Sequence, residues 1–364
     1  MLLIEQPEEE IISTLDSLIP LSMEQEHVIG LSGAIIQGSK IVWNKAFGLK
    51  NNDTHEVLTI DNLMDAGSLS KPVFAYGVLQ LCRQKQLDLD EPLTKYLTKP
   101  YVADERIKLI TARMCLSHQS GFPNWRVGAF SQNPQPLNFQ LPPGDRYSYS
   151  GEGFVYLQRV IESITKQSLE NYVKDNIFKP LGMYNSGFTH HGLDKSLVAP
   201  GHANDKKPIF YHYEKANAAY TLRTTPSELT KFLQVLMNPP ESDSLLLSRE
   251  WVDKILFPEI NVNNDNTSWQ GLKWSRGKII EDPNVAWGLG WGLQIIGGKK
   301  LLWHWGDNEN YKAFILGSVE EKSGIIIMSN CTTGSKVWVS ILQALYGENL
   351  PIIAYMKNLH PSYL

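Results

Sequence analysis

Cysteine is scarce in this 364-residue chain. Its three copies, Cys82, Cys115 and Cys331, lie far apart and form no CxxC pair, which speaks against both a disulfide framework and a thiolate zinc site. A reducing compartment is compatible with that usage. Long apolar runs are also missing, since no stretch approaches the roughly 18 to 20 residues that a membrane span requires. The N-terminal decapeptide carries three consecutive glutamates, Glu8 to Glu10, where an export signal would need positive charge and then an apolar run. The expected location is cytoplasmic, or periplasmic if an export segment has been removed. Runs of Lys or Arg are absent, and the formal net charge is -4. No basic stripe is available to neutralise phosphates, so nucleic acid and membrane are not expected partners. Internal repeats and low-complexity segments are missing as well.

What remains is an ordinary globular composition, 42% hydrophobic and 20% charged, enough for a large core or two lobes. Pro7 and the acids after it suit a first helical turn, and Ile11, Ile12, Leu15, Leu18 and Ile19 share one helix face. Strand-like runs follow at Gly33 to Gln37 and Ile41 to Leu49, with Gly38-Ser39 between them as a tight hairpin turn. From Lys71 to about Asn238 the spacing becomes helical, as in Val73 to Leu81, Phe154 to Ile164 and Leu229 to Met237. Beyond a polar stretch, Asn261 to Thr267, strands return at Trp291 to Ile296, Lys300 to Trp303, Tyr311 to Leu316 and Gly324 to Met328. A C-terminal helix is expected over Lys336 to Tyr346. Strands at both ends and helices between them predict an α+β chain: residues 1–66 and 268–364 build an antiparallel sheet lobe, and 67–267 form an inserted helical lobe. The cleft between the lobes is the natural ligand site.

Three segments carry chemistry. In Ser68-Leu69-Ser70-Lys71 a serine precedes a lysine by three residues, which on a helix sets both on one face. A serine hydroxyl needs a neighbour to take its proton, and a desolvated lysine can do so. Gly67 permits close approach of a substrate, and Pro72 fits a first helical turn. Ser-x-x-Lys is common by chance and needs company. It has company in the turn-rich Pro143 to Gly151 segment, where Tyr149 can face the cleft and serve as acid and base beside a lysine. The third segment is His304-Trp305-Gly306-Asp307, at the end of an expected strand. Gly306 would allow close backbone approach, and the Asp307 amide could pair with that of Ser68 as oxyanion donors.

The order and spacing of these segments resemble the class C β-lactamase-related serine hydrolases, a group that takes in esterases, D-aminopeptidases and carboxypeptidase-like proteins. Leu87 to Pro92, Leu116 to Pro123 and Pro180 to Met183 are similar to that family's linking segments, so the likeness spans nearly the whole chain. It implies a β-lactamase/transpeptidase-like fold, with Ser68 as nucleophile, Lys71 as activator and Tyr149 as shared acid and base. Substrate contacts are expected from Gly151, His304, Trp305, Gly306 and Asp307. Two departures bear on substrate: Gly151 stands where these β-lactamases usually carry asparagine, and His304-Trp305 replaces a lysine and threonine. The expected reaction is hydrolysis of a small ester or amide through an acyl-serine, esterase-like first, with a D-amino-acid peptidase or β-lactamase as the alternative. A binding or scaffold protein of the same fold is the non-enzymatic alternative. No cofactor and no metal is required, and the oligomeric state is open. His118 reads as a turn residue. His190-His191 reads as a surface loop, because no carboxylate or cysteine lies at ligand spacing. Trp125, Trp287 and Trp291 suit the cleft or the core equally well.

Overall fold

A computed structural model describes residues 6–203, 207–242, 244–262, 268, 269, 272, 273, 284–347 and 350–359. Helix α1 (Glu8–Gln25) starts with three acids at its positive end, where they complement the helix dipole. Its Ile11, Leu15 and Ile19 are fully buried. β1 (Gly30–Gln37) and β2 (Lys40–Asn51) follow as a hairpin. Gly38 and Ser39 turn it with φ of 57° and 68°, the two positive values that a two-residue hairpin loop demands. β3 (Glu56–Val57) edges β2, and β4 (Met64–Gly67) leads into α2 (Ser70–Arg83).

The helical lobe then supplies α3 (Ala112–Leu116), α4 (Gly151–Thr165), α5 (Leu169–Val173), α6 (Lys179–Leu181), β5 (Leu222–Thr224), α7 (Pro226–Met237) and α8 (Arg249–Ile255). β6 (Ile260–Asn261), β7 (Ser268–Trp269) and β8 (Leu272–Lys273) precede the closing run of β9 (Val285–Trp287), β10 (Gly292–Ile296), β11 (Lys299–Asp307), β12 (Lys312–Ser318) and β13 (Ser323–Ser329). Helices α9 (Gly334–Tyr346) and α10 (Pro351–Leu359) end the described chain.

Nine strands form one antiparallel sheet in the order β3-β2-β1-β13-β12-β11-β10-β9-β6. The two chain ends meet where β1 pairs β13, with Leu31 opposite Ser329 and Ile35 opposite Ile325. β13 is buried along its whole length because both sheet faces are covered. Ile325 and Ile327 pack with Leu15, Trp338 and Ile352 under α1, α9 and α10. Ile326 and Met328 face the other way, into the core shared with the helical lobe.

Three features differ from the sequence expectations. The strand expected over Lys300 to Trp303 runs on to Asp307, so the whole third motif is strand. The outermost strand β6 comes from Ile260–Asn261, upstream of the expected lobe boundary at 268. α10 carried no signal strong enough to be foreseen. Residues 263–267 of the polar stretch lie outside the described residues. Among those described, no helix is long and apolar enough to cross a membrane.

Candidate active site

Ser68 sits in the turn between β4 and α2, partly exposed, and Lys71 lies one turn on with 1% of its surface accessible. The turn is locked by a different serine. Ser70 Oγ donates to the Gly67 carbonyl at 2.6 Å and accepts the Leu222 N–H at 2.9 Å, which ties the start of α2 to β5. With Ser70 engaged on both sides, Ser68 is the hydroxyl left facing the lysine. Lys71 Nζ lies 3.0 Å from Ser68 Oγ and donates to the Ala219 carbonyl at 2.8 Å. Around it stand the rings of Tyr149, 4.8 Å from Nζ to centroid, and Phe154, 5.6 Å away. Burial holds its pKa well below the usual 10.5. Burial thus disfavours the charged form of the amine that faces the serine, the direction that lets its nitrogen take the hydroxyl proton.

Tyr149 is almost fully buried. Its ring lies 4.2 Å from that of His118 and 5.6 Å from that of Trp305, the latter stacked at 26°. His118 is a positioning element that sequence reading took for a turn residue. The turn is real, since His118 has φ of 57°, but its ring and carbonyl also grip the backbone on either side of Tyr149. The His118 carbonyl accepts the Ser148 N–H at 2.8 Å, and its Nδ1 accepts the Ser150 N–H at 3.0 Å. Acceptance at Nδ1 puts the ring proton on Nε2. Burial, then Lys71 and His304, drive its pKa well below 6.5, so the ring is neutral.

The third motif lies across Ser68 as strand. β10 begins opposite Trp303, so from His304 to Asp307 β11 pairs with β12 on one edge and, among the described residues, with no strand on the other. A Cβ on Gly306 would fall 1.9 Å from the Ala66 carbonyl oxygen, and one on Gly67 would fall 2.8 Å from the Asp307 nitrogen. Two backbones meet there at a distance only glycine allows. That contact brings the Asp307 amide against Gly67, the residue before Ser68.

The other expected substrate residues are placed differently. His304 is fully buried and its Nδ1 donates to the Trp305 carbonyl at 2.7 Å. Burial, with Lys71 nearby, pushes its pKa down to about 3, so it carries no charge near neutrality. Gly151 opens α4 and its N–H donates to Asn124 Oδ1 at 3.0 Å. A Cβ there would meet Trp125 at 2.7 Å, so the space of a missing side chain is filled by indole and Gly151 is a packing position. The Asp307 carboxylate is engaged by Lys312 at 2.7 Å.

One network had no sequence signal at all. Asp65 and Arg223, 158 residues apart, form a buried ion pair at 2.6 Å, and Tyr213 donates to the same carboxylate at 2.7 Å. Asn308 donates to the Tyr213 hydroxyl and to the Tyr220 carbonyl at 3.1 and 3.0 Å. Together they fix the Ala219-Tyr220 turn that receives Lys71.

The family model described as beta-lactamase matches residues 15–344. The chain belongs to the beta-lactamase family. The family is one of serine hydrolases and includes proteins named as β-lactamases and D-alanine carboxypeptidases. "Protein flp" of Staphylococcus aureus strain MRSA252 is 22% identical over 338 residues, covering 87% of this chain; the match spans only 62% of that relative's length. Among solved structures, the octameric penicillin-binding protein homologue from Pyrococcus abyssi superposes with a TM-score of 0.73 at 25% identity, covering 95% of this chain and 80% of its own. The D-alanine carboxypeptidase AmpC from Burkholderia cenocepacia gives 0.74 at 17% identity, covering 94% and 99%. These likenesses establish the beta-lactamase fold for this chain.

Proposed function

We propose that this beta-lactamase-family chain hydrolyses small esters through an acyl-enzyme on Ser68. The observation that carries the reading is the buried Lys71 amine, its pKa lowered by desolvation, 3.0 Å from Ser68 Oγ. Lys71 takes the hydroxyl proton as Oγ attacks the ester carbonyl, and Tyr149, beside the amine, relays a proton to the departing alcohol. The amides of Ser68 and Asp307 hold the oxyanion. Water then hydrolyses the acyl-serine, with the same pair acting as base.

Esters are preferred over β-lactams because the site offers little for a carboxylate. His304 is neutral and Lys312 is engaged by Asp307. A lost charge-assisted hydrogen bond costs roughly 1.5–3 kcal/mol, which is about 10- to 10²-fold in rate. Trp305 stacks on Tyr149 at 5.6 Å. An ester also needs less help from a general acid than an amine leaving group does. The alternative, D-amino-acid peptidase or amidase work, draws on the D-alanine carboxypeptidase neighbour.

The test is kcat/KM for p-nitrophenyl butyrate and for a chromogenic cephalosporin in one buffer, with mass spectrometry after a fluorophosphonate. A single adduct on the Ser68 peptide and a higher ester value are expected. Lys71→Ala and Tyr149→Phe should each lower kcat by about 10² or more. A cephalosporin value equal to or above the ester value would make β-lactamase the better reading, and labelling at Ser70 would remove Ser68.

A further inference from the structure

We propose that His190, His191 and Glu214 bind one divalent transition-metal ion of the zinc class. The adjacent histidines alone say little, and the sequence offers no carboxylate beside them. The fold supplies one from 23 residues on: the segment 211–214 runs alongside, and the His190 N–H donates to the Tyr213 carbonyl at 3.1 Å. Glu214 thereby spans both rings. Its Oε1 lies 3.6 Å from His190 Nε2 and its Oε2 lies 3.2 Å from His191 Nε2, and one donor atom from each residue falls within 4.8 Å of the others. Nitrogen and oxygen ligands at about 2.0–2.2 Å from a tetrahedral zinc stand about 3.4 Å apart along each edge. The two carboxylate–imidazole distances, 3.6 and 3.2 Å, already match that spacing.

Tautomer chemistry adds an independent constraint. His190 Nδ1 lies 3.0 Å from the Tyr213 carbonyl oxygen, which can only accept, so Nδ1 must carry a proton. This is the outer-shell bond that metal-ligating histidines make. In the neutral ring Nε2 is then a bare lone pair, and it faces a carboxylate oxygen. A metal ion placed between them would take both lone pairs. Two imidazoles and one carboxylate leave a fourth corner for water, and His190 also borders a cavity of about 300 Å³ lined by Lys195, Tyr211, His212 and Arg223. Imidazole and carboxylate donors in this number suit Zn²⁺ rather than Mg²⁺ or Ca²⁺. A bound ion would fasten the Tyr213 segment, whose hydroxyl bonds Asp65 and Asn308 beside the active site.

The experiment uses tag-free protein stripped with chelator and titrated with ZnCl2 by calorimetry at pH 7.5 and pH 5.5. Co²⁺ titrated in the visible range reports coordination geometry. One saturable equivalent is expected at pH 7.5, with intense tetrahedral Co²⁺ bands and weaker binding at pH 5.5 as protons compete. His191→Ala and Glu214→Gln should bind about 10- to 100-fold more weakly, at least what an outer-shell loss costs. Both lie on the surface, so circular dichroism and metal-free ester turnover should match the wild type. Equal affinity in wild type and variants, no saturable binding at pH 7.5, or binding that strengthens toward pH 5.5 would overturn the proposal. The metal-binding readouts do not depend on whether esters are the substrates.

Discussion

At the scale of single residues, the two buried histidines divide the work around Tyr149. His304, held at about pKa 3, is neutral through the working range. His304→Asn should therefore leave the shape of the kcat/KM profile unchanged between pH 5 and 8, whatever it does to the plateau. A limb near 6.5 that disappears in the variant would show that His304 titrates. His118 acts through backbone. Removing its ring strands the Ser150 N–H, at about 1–3 kcal/mol for an unsatisfied buried donor, and frees Tyr149 to shift, where 1 Å of misplacement costs about 10² in rate. His118→Ala should thus lower kcat with KM little changed. His118→Asn should recover most of it, because its amide oxygen can accept the same N–H and asparagine tolerates the positive φ. Equal losses in both variants would assign His118 to packing alone. Ser68 and Lys71 were legible because their spacing is local and helical. His118 was legible only as a turn, since its ring meets Ser150, 32 positions away. The Asp65–Arg223 pair was invisible for the same reason.

At the scale of elements, the helices and strands with clear periodicity were readable to within a few residues, and the hairpin at Gly38-Ser39 was readable from its turn residues. What the sequence hid was where β11 ends. His304 to Asp307 lack simple alternation because Gly306 is dictated by a neighbouring backbone, not by a sheet face. That crossing is the element-level device of the site: β4 and β11 touch at Gly67 and Gly306, and in the proposed mechanism the contact sets the two oxyanion amides. Gly306→Ala would drive a methyl group to 1.9 Å from the Ala66 oxygen and push the strands apart. Overpacking of this kind costs about 1–3 kcal/mol, and a displaced oxyanion donor costs about 10²–10³ in kcat. Both losses are expected, read by urea unfolding and ester turnover. Unchanged kcat in a variant with a lowered unfolding midpoint would separate the crossing from catalysis.

At the scale of the whole molecule, the same burial that lowers the Lys71 pKa burdens the fold. An unfolded chain binds a proton at this amine up to about pH 10.4. The folded chain releases it far earlier, because burial depresses the native pKa. Between the two values the unfolded state holds more protons, so stability rises with pH across that window and the dependence ends above it. His304 adds the same sign from about 6.5 down to its native value of about 3. Lys71→Met keeps the volume and removes the titration. It also removes hydrogen bonds to Ser68 and Ala219, a loss that does not vary with pH once the native amine is neutral. The diagnostic is therefore a slope. Urea unfolding of both proteins from pH 6.5 to 10.5 should show the wild type gaining on the variant by up to about 1.4 kcal/mol per pH unit, the linkage value of one proton. The gain should flatten above pH 10.5. Parallel stability curves would mean that Lys71 stays protonated in the folded protein, and a neutral amine could then no longer be the base that activates Ser68.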